Sequence, residues 1–307
     1  MAKRSGLGSA FYVDSHDISG DIGMLNSIAL TRALQDVSGL DKYGTERLVL
    51  RSDGEMSFTG FWNAAAGASV PVLRDLPNTD VQATYASGPS IAEWAATLIG
   101  KKTAFAAQRG ADGSMALTGQ VMGGSGFRLE WGQLLTIGKQ TFASTQAVSA
   151  WQATHDYALN DLVQPTTPNG HYYKATADTG SSDSVEPTWP TNGTSVVDDG
   201  ITWHDEGLLP NGIDRGVGSA SNFGLAAYLH AFSLGSGTAN LKLQDSADRV
   251  AWDDVPAAAF TAVTGGTKQR VQTSTSENVR RYLRVLVSGT FTNLVAAVHA
   301  VVYRTQQ

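Results

Sequence analysis

The feature that most restricts this chain is a period of two in its hydrophobic pattern. Apolar and polar residues alternate along Glu55-Met-Ser-Phe-Thr-Gly-Phe61, Val81-Gln-Ala-Thr-Tyr85, Ser114-Met-Ala-Leu-Thr-Gly-Gln-Val-Met122 and Phe127-Arg-Leu-Glu-Trp131. Successive side chains of a strand point to opposite faces, so these runs read as strands with one buried face. Asp53-Gly54 and Asp112-Gly113 stand directly before two of them, as turns that lead into strands should. The pattern returns in Leu225-Ala-Ala-Tyr-Leu-His-Ala-Phe232, Leu241-Lys-Leu-Gln244, Arg281-Tyr-Leu-Arg-Val-Leu-Val287 and Leu294-Val-Ala-Ala-Val-His-Ala-Val-Val-Tyr303. The punctuation there, Asp245-Ser-Ala-Asp248, Gly265-Gly266 and Ser288-Gly289, suits an antiparallel sandwich or jelly roll. An all-β chain is expected. One short helix is predicted over residues 90–98, with Ser90 as cap and Glu93 three residues on, and a second short turn over residues 70–76.

At 307 residues the chain exceeds what a single core usually organises, so more than one is expected. A shift in composition locates a boundary. Residues 148–210 hold five of the nine prolines, three of the seven tryptophans and nine acidic residues against one basic, Lys174. The remainder carries 19 acidic and 21 basic residues, so neither part has the basic excess that gripping a phosphate backbone requires. The division predicted is a β domain over 1–147, a small acidic, aromatic-rich module over 148–210 and a C-terminal β-sandwich over 211–307. Only 16% of residues are charged, against about 25% in an average domain, which suits a chain that hides much of its surface in a polymer. With no cysteine, disulfides, thiolate metal sites and cysteine nucleophiles are excluded. The start, MAKRSGLGSAFYV, lacks an apolar stretch of signal-peptide length, and no apolar run reaches about 18 residues, so no membrane insertion is expected and synthesis in a cytoplasm is.

Catalytic chemistry finds no footing. The histidines at 16, 155, 171, 204, 230 and 299 have no metal-ligand spacing, and His230 and His299 read as imidazoles of strands, satisfied in the core or at a strand surface. Asp198-Asp199 and Asp253-Asp254 are adjacent, so on a strand they face opposite ways and cannot flank one bond. The run 95–103 departs from a phosphate loop, and Gly123-Gly-Ser-Gly126 from a nucleophile elbow. No catalytic residue, metal or cofactor is expected, and the chain is read as not an enzyme. One constellation stands above background: Trp151, Tyr157, Tyr172, Tyr173, Trp189 and Trp203, all within the module. Aromatic residues dominate small cores, so burial is the first expectation for each, and a stacking face for sugars or a partner the second.

The order Trp151, Tyr157-Ala-Leu-Asn-Asp161-Leu-Val163, Gly170-His-Tyr-Tyr-Lys-Ala175, Glu186-Pro-Thr-Trp189-Pro and Asp199-Gly-Ile-Thr-Trp203 resembles the small carbohydrate-binding-like β modules of phage tail proteins, and distantly those of chitinases. That resemblance implies Trp151, Tyr172, Tyr173, Trp189 and Trp203 as sugar-stacking candidates, with a host-surface glycan as partner. Residues 1–145 resemble the tail tube proteins of long-tailed, siphovirus-type phages through Asp53-Gly-Glu-Met-Ser-Phe-Thr-Gly-Phe-Trp62, Val72-Leu-Arg-Asp-Leu76, Asp80-Val-Gln-Ala-Thr-Tyr85 and Leu98-Ile-Gly-Lys-Lys102. Leu241-Lys-Leu-Gln-Asp-Ser-Ala-Asp248 and Val279-Arg-Arg-Tyr-Leu-Arg-Val285 are similar to β-sandwich segments of tail subunits. These resemblances imply a tail-tube-type β-sandwich or barrel with one short helix, a small β module and a C-terminal antiparallel β-sandwich. The role implied is a virion protein that forms stacked rings, hexameric by the resemblance. Its partners would be other copies and other tail proteins, with DNA only as passing cargo. A carbohydrate-binding adhesin and a capsid decoration protein are the alternatives.

Overall fold

The computed structural model describes residues 6–124, 126–143, 148–178, 180–208, 212–216 and 220–304, and it is all-β. The first strands are β1 (Ala10–Val13), β2 (His16–Asp17), β3 (Ile22–Asp36) and β4 (Arg47–Phe61). Helix α1 (Ser69–Leu73) precedes β5 (Val81–Ala86), β6 (Trp94–Arg109), β7 (Met115–Gly123), β8 (Glu130–Leu134) and β9 (Gln140–Phe142). The aromatic-rich segment supplies β10 (Ser149–Ala150), β11 (Leu162–Gln164), β12 (His171–Asp178), β13 (Ser195–Asp198) and β14 (Ile201–Leu208). The rest forms β15 (Ile213–Asp214), β16 (Leu225–Ser233), β17 (Ser236–Ser246), β18 (Asp253–Ala259), β19 (Thr267–Gln272), β20 (Tyr282–Thr292) and β21 (Leu294–Val302).

Twelve strands share one sheet, in the order β19-β16-β21-β8-β6-β5-β1-β2, with β7, β4 and β3 branching from β6 and β9 from β21. Strands from both ends of the chain therefore lie in one sheet, joined where β8 pairs with β21. The join needs Gly132, because a Cβ there would collide with the Ala300 carbonyl. Alternation decides what each face covers. Met56, Phe58, Leu98, Leu117 and Val121 point into a first core with Phe11, whose ring lies 4.9 Å from that of Phe58. Leu225, Leu229 and Val298 point into a second, closed by Leu241, Leu243, Leu283 and Val287 from the four-stranded sheet β15-β20-β17-β18. Each such fully buried side chain contributes about 1.5–3 kcal/mol.

The opposite face of the shared sheet folds onto itself around a polar seam. The Oγ1 atoms of Thr84 and Thr97 are 2.5 Å apart, Thr84 meets His230 Nε2 at 2.7 Å, and Thr97 meets His299 Nε2 at 2.8 Å. Gln82 donates to the Leu229 carbonyl at 3.0 Å, and His230 Nδ1 lies 2.5 Å from the Asp14 carbonyl. His230 and His299 are buried strand residues with partners, in accord with the sequence. Burial pushes His230 down to about 4 and His299 down to about 3, so both are neutral at pH 7.

The helix expected over residues 90–98 is absent. Ala92 takes a left-handed turn, φ 68°, and Trp94 opens β6 between β5 and β8. Ala96 and Leu98 fill the first core while Ala95 and Thr97 face the other way and are also buried. A strand buried on both faces carries no alternation, so periodicity does not separate it from a helix. The helix lies instead in the predicted second turn, where Val70 and Leu73 plug the first core and Ser69 Oγ donates to the Phe61 carbonyl at 2.9 Å.

Candidate functional site

Two regions gather the aromatic and large apolar side chains that this fold does not need for its two main cores. The first is the module. Its five strands form a sheet of their own, β10-β11-β12-β14-β13. Trp151, Tyr157, Val163, Tyr173, Ala175, Ile201 and Trp203 make its core, with Trp189 packed against it. One carboxylate organises the rings: Asp198 Oδ2 accepts from the indole N–H of Trp151 at 2.8 Å and of Trp203 at 2.9 Å, while Oδ1 accepts from the Asp183 amide at 2.9 Å. A second buried carboxylate, Asp205, holds His171 Nδ1 at 2.8 Å and the Gly193 amide at 2.9 Å. The acidic bias of the segment is thus in part structural, because these carboxylates accept from donors that would otherwise be buried unpaired.

Among the five sugar-stacking candidates, the structure places Tyr173 and Trp203 wholly inside, and Trp151 at 6% exposure. Tyr157 meets Trp203 edge to face with centroids 4.9 Å apart, Tyr173 is covered by the tilted ring of Trp189, and the three buried rings show no open face. Trp189 is half-buried, its ring 4.4 Å from Tyr173 and its N–H donating to Glu186 at 2.9 Å. Tyr172 is also half-buried, on the opposite face of β12 from Tyr173, where Lys174 pairs with Glu206 at 3.1 Å. Burial first, and the Glu206 carboxylate second, push its phenol up, so it is a neutral donor at any ordinary pH. The sequence brought the five together; the structure separates three that pack from two that reach solvent.

The second region is an arm that sequence reasoning missed. Strands β3 and β4 pair from Ile22↔Gly60 out to Asp36↔Arg47. Only the inner part of β4 is flanked on its other edge, by β7 from Glu55 to Phe61. Every residue from 30 to 51 is exposed. Eight of these are large and apolar: Leu30, Leu34, Val37, Leu40, Tyr43, Leu48, Val49 and Leu50, with Leu40 and Tyr43 as exposed as in an extended chain. A two-stranded ribbon is marginal alone in water, and apolar surface clustered on one is a contact surface. The tip is nevertheless built: the Val37 amide donates to the Glu46 carbonyl at 2.9 Å, Ser38 bonds Asp36 and Glu46, and Lys42 pairs with Glu46 at 3.3 Å. The sequence there, Leu48-Val-Leu50 between Arg47 and Arg51, reads by itself as any half-apolar strand.

No cluster of three or more His, Cys, Asp or Glu side chains suited to a metal occurs among the described residues. No helix among them is long and apolar enough to cross a membrane. No family model matches the chain, and no curated protein does. Solved structures that align over nearly the full length include the Dit protein of phage SPP1, described as a paradigm of the hub adsorption apparatus in phages infecting Gram-positive bacteria. That alignment covers 95% of this chain and 98% of the other, at 12% identity and a TM-score of 0.26. The phage p2 baseplate in its activated conformation aligns in its strontium form at 8% identity and TM-score 0.26, covering 95% and 97% of the two chains. Its calcium form aligns at 10% and 0.25, covering 97% and 99%. Scores at that level carry no weight for fold or role.

Proposed function

We propose that this protein is a structural component of a phage tail that assembles with copies of itself into rings, and that the rings stack into a tube through which DNA passes. The observation that carries the reading is the arm: 22 consecutive exposed residues with eight large apolar side chains, held out from a body that does not cover them. Such a surface is consistent with burial against another copy, and a contact between two different patches of identical chains closes into a ring or runs on as a filament. The tube-protein resemblance of residues 1–145 supplies the tail setting and the ring.

A second feature supports a conduit. The sheet β3-β4-β7-β6 turns Met56 and Phe58 inward and Glu55, Ser57 and Thr59 outward. On that outer face Asn26 donates to Thr59 at 3.0 Å, Thr103 to Gln120 at 2.9 Å and Gln120 to Glu55 at 3.1 Å. Hydroxyls and amides bonded to one another and to the Glu55 carboxylate suit a wall along which DNA slides without being held. Within the tail the resemblance favours a tube subunit. Negative-stain electron microscopy of purified protein across a concentration series tests the proposal. Rings with a central hole that stack into extended tubes are expected, and a particle that stays monomeric at every concentration would refute it. Glycan contact by the module is a subsidiary reading, favoured by the solvent-reaching rings of Tyr172 and Trp189. It predicts polysaccharide binding that Trp189→Ala removes.

A further inference from the structure

We infer that the tip of the arm seats in one particular cleft of the next copy, the cleft at the base of that copy's own arm. The inference rests on the proposed self-assembly and names the surface that receives the arm. The cleft, about 520 Å³, is lined by Arg51, Phe127, Arg128, Glu130, Arg270 and Tyr303, with Asp53 at its rim. Its floor is rigid. The buried Glu130 carboxylate accepts from the hydroxyls of Tyr228 and of Tyr303, the latter at 2.8 Å, and from Arg270 at 3.4 Å. Burial, and then the nearby Glu130 charge, push both phenols up, so they remain donors and hold the carboxylate in place. The Arg270 guanidinium is fixed in turn by Tyr228 at 3.0 Å and Gln272 at 2.8 Å, and lies 4.3 Å from the centre of the part-exposed Phe127 ring. The cleft thus combines a fixed apolar and cationic wall with three guanidinium groups against two carboxylates.

The arm tip is its complement. Residues 36–46 carry Asp36, Asp41 and Glu46 against Lys42, and the tip is still net negative with Arg47 counted. Leu40 and Tyr43 project beside them, fully exposed. Asp41 and Arg51 have no hydrogen bond or ion pair of their own among the described residues, so each is available to the other across a contact. The same chain cannot satisfy both. The tip is reached from the cleft along the β3-β4 ladder, Arg32↔Ser52 to Asp36↔Arg47, with one bulge between Arg32 and Leu34. At about 3.3 Å per residue this sets the tip roughly 17 Å beyond the cleft or further. The contact is therefore between copies, arm of one to cleft of the next, and head to tail.

The chain has no cysteine, which makes a cross-linking test clean. Tyr43→Cys and Phe127→Cys chains, one carrying a size tag, are mixed and oxidised under conditions where the untouched protein assembles. A disulfide-linked heterodimer is expected from the mixture, and a covalent ladder from chains carrying both substitutions. A control pair, Tyr43→Cys with Thr176→Cys on the module, should give neither. Assembled particles without the heterodimer would overturn the cleft assignment and leave the self-assembly reading standing; absence of both assembly and cross-link would overturn the two together. Arg51→Glu should weaken association about tenfold, the scale of one lost charge pair, and Asp41→Arg added to it should restore the loss. Unchanged association in Arg51→Glu chains would also overturn the assignment.

Discussion

The arm and the module both carry large apolar and aromatic side chains and treat them in opposite ways. In the module the rings turn inward, and the indole N–H groups of Trp151 and Trp203 end on one buried carboxylate, Asp198. Its outward apolar residues, Leu159, Val185 and Val197, stand apart on different elements. In the arm nothing is turned inward, because two strands have no inside. A residue type alone says little about function; which side chains a region could have covered and did not says where its partner goes.

The comparison can be sharpened by substitution, beginning where the effect is largest. Trp203→Ala should cost the module about 3–5 kcal/mol, since it leaves a large cavity in a small core and removes a donor from Asp198. Hydrogen exchange over residues 149–208 measures it, and an unchanged exchange rate would mean that the module is not the self-contained core described. The polar seam offers the next largest effect, about 3 kcal/mol for His230 alone. Its folded value, about 4, lies below the ordinary 6.5 of an unfolded histidine, so the seam's contribution is complete above pH 6.5 and falls away as pH drops through 4. His299, held at about 3, extends the loss to lower pH. Thermal melts from pH 7 to pH 4 should show it, and a His230→Gln chain should show a flatter pH dependence over that range; an equal dependence would contradict the assignment. Asp198→Asn should cost roughly 1–3 kcal/mol, because the amide keeps one acceptor but loses the charge that three donors share. The smallest change belongs to the arm: Leu34→Ser in dilute monomer should alter stability by no more than about 0.5 kcal/mol, as at other exposed positions. A large loss there would mean that the arm packs on its own body.

Much of this was legible in the sequence. The alternating runs at Glu55–Phe61 and Met115–Met122 fall within β4 and β7, and they pair with each other as adjacent strands. Those strands cover one face with core and leave the other wet, which is what alternation reports. The helix predicted over residues 90–98 was a misreading because Ala95 to Leu98 are buried on both faces, and the pattern that distinguishes strand from helix is lost there. The five stacking candidates were found as a set, but burial is decided by neighbours distant in sequence: Trp151 is held by Asp198, 47 residues on. The arm was missed for the converse reason. Its sequence is that of any half-apolar strand pair, and only the absence of a covering layer in three dimensions distinguishes it.

If the arm exists to be covered by another copy, sedimentation velocity will separate the protein from a Leu40→Ser, Tyr43→Ser chain over the same concentration range. Large closed assemblies are expected for the first and a folded monomer for the second. Assembly that proceeds equally well in both would contradict it.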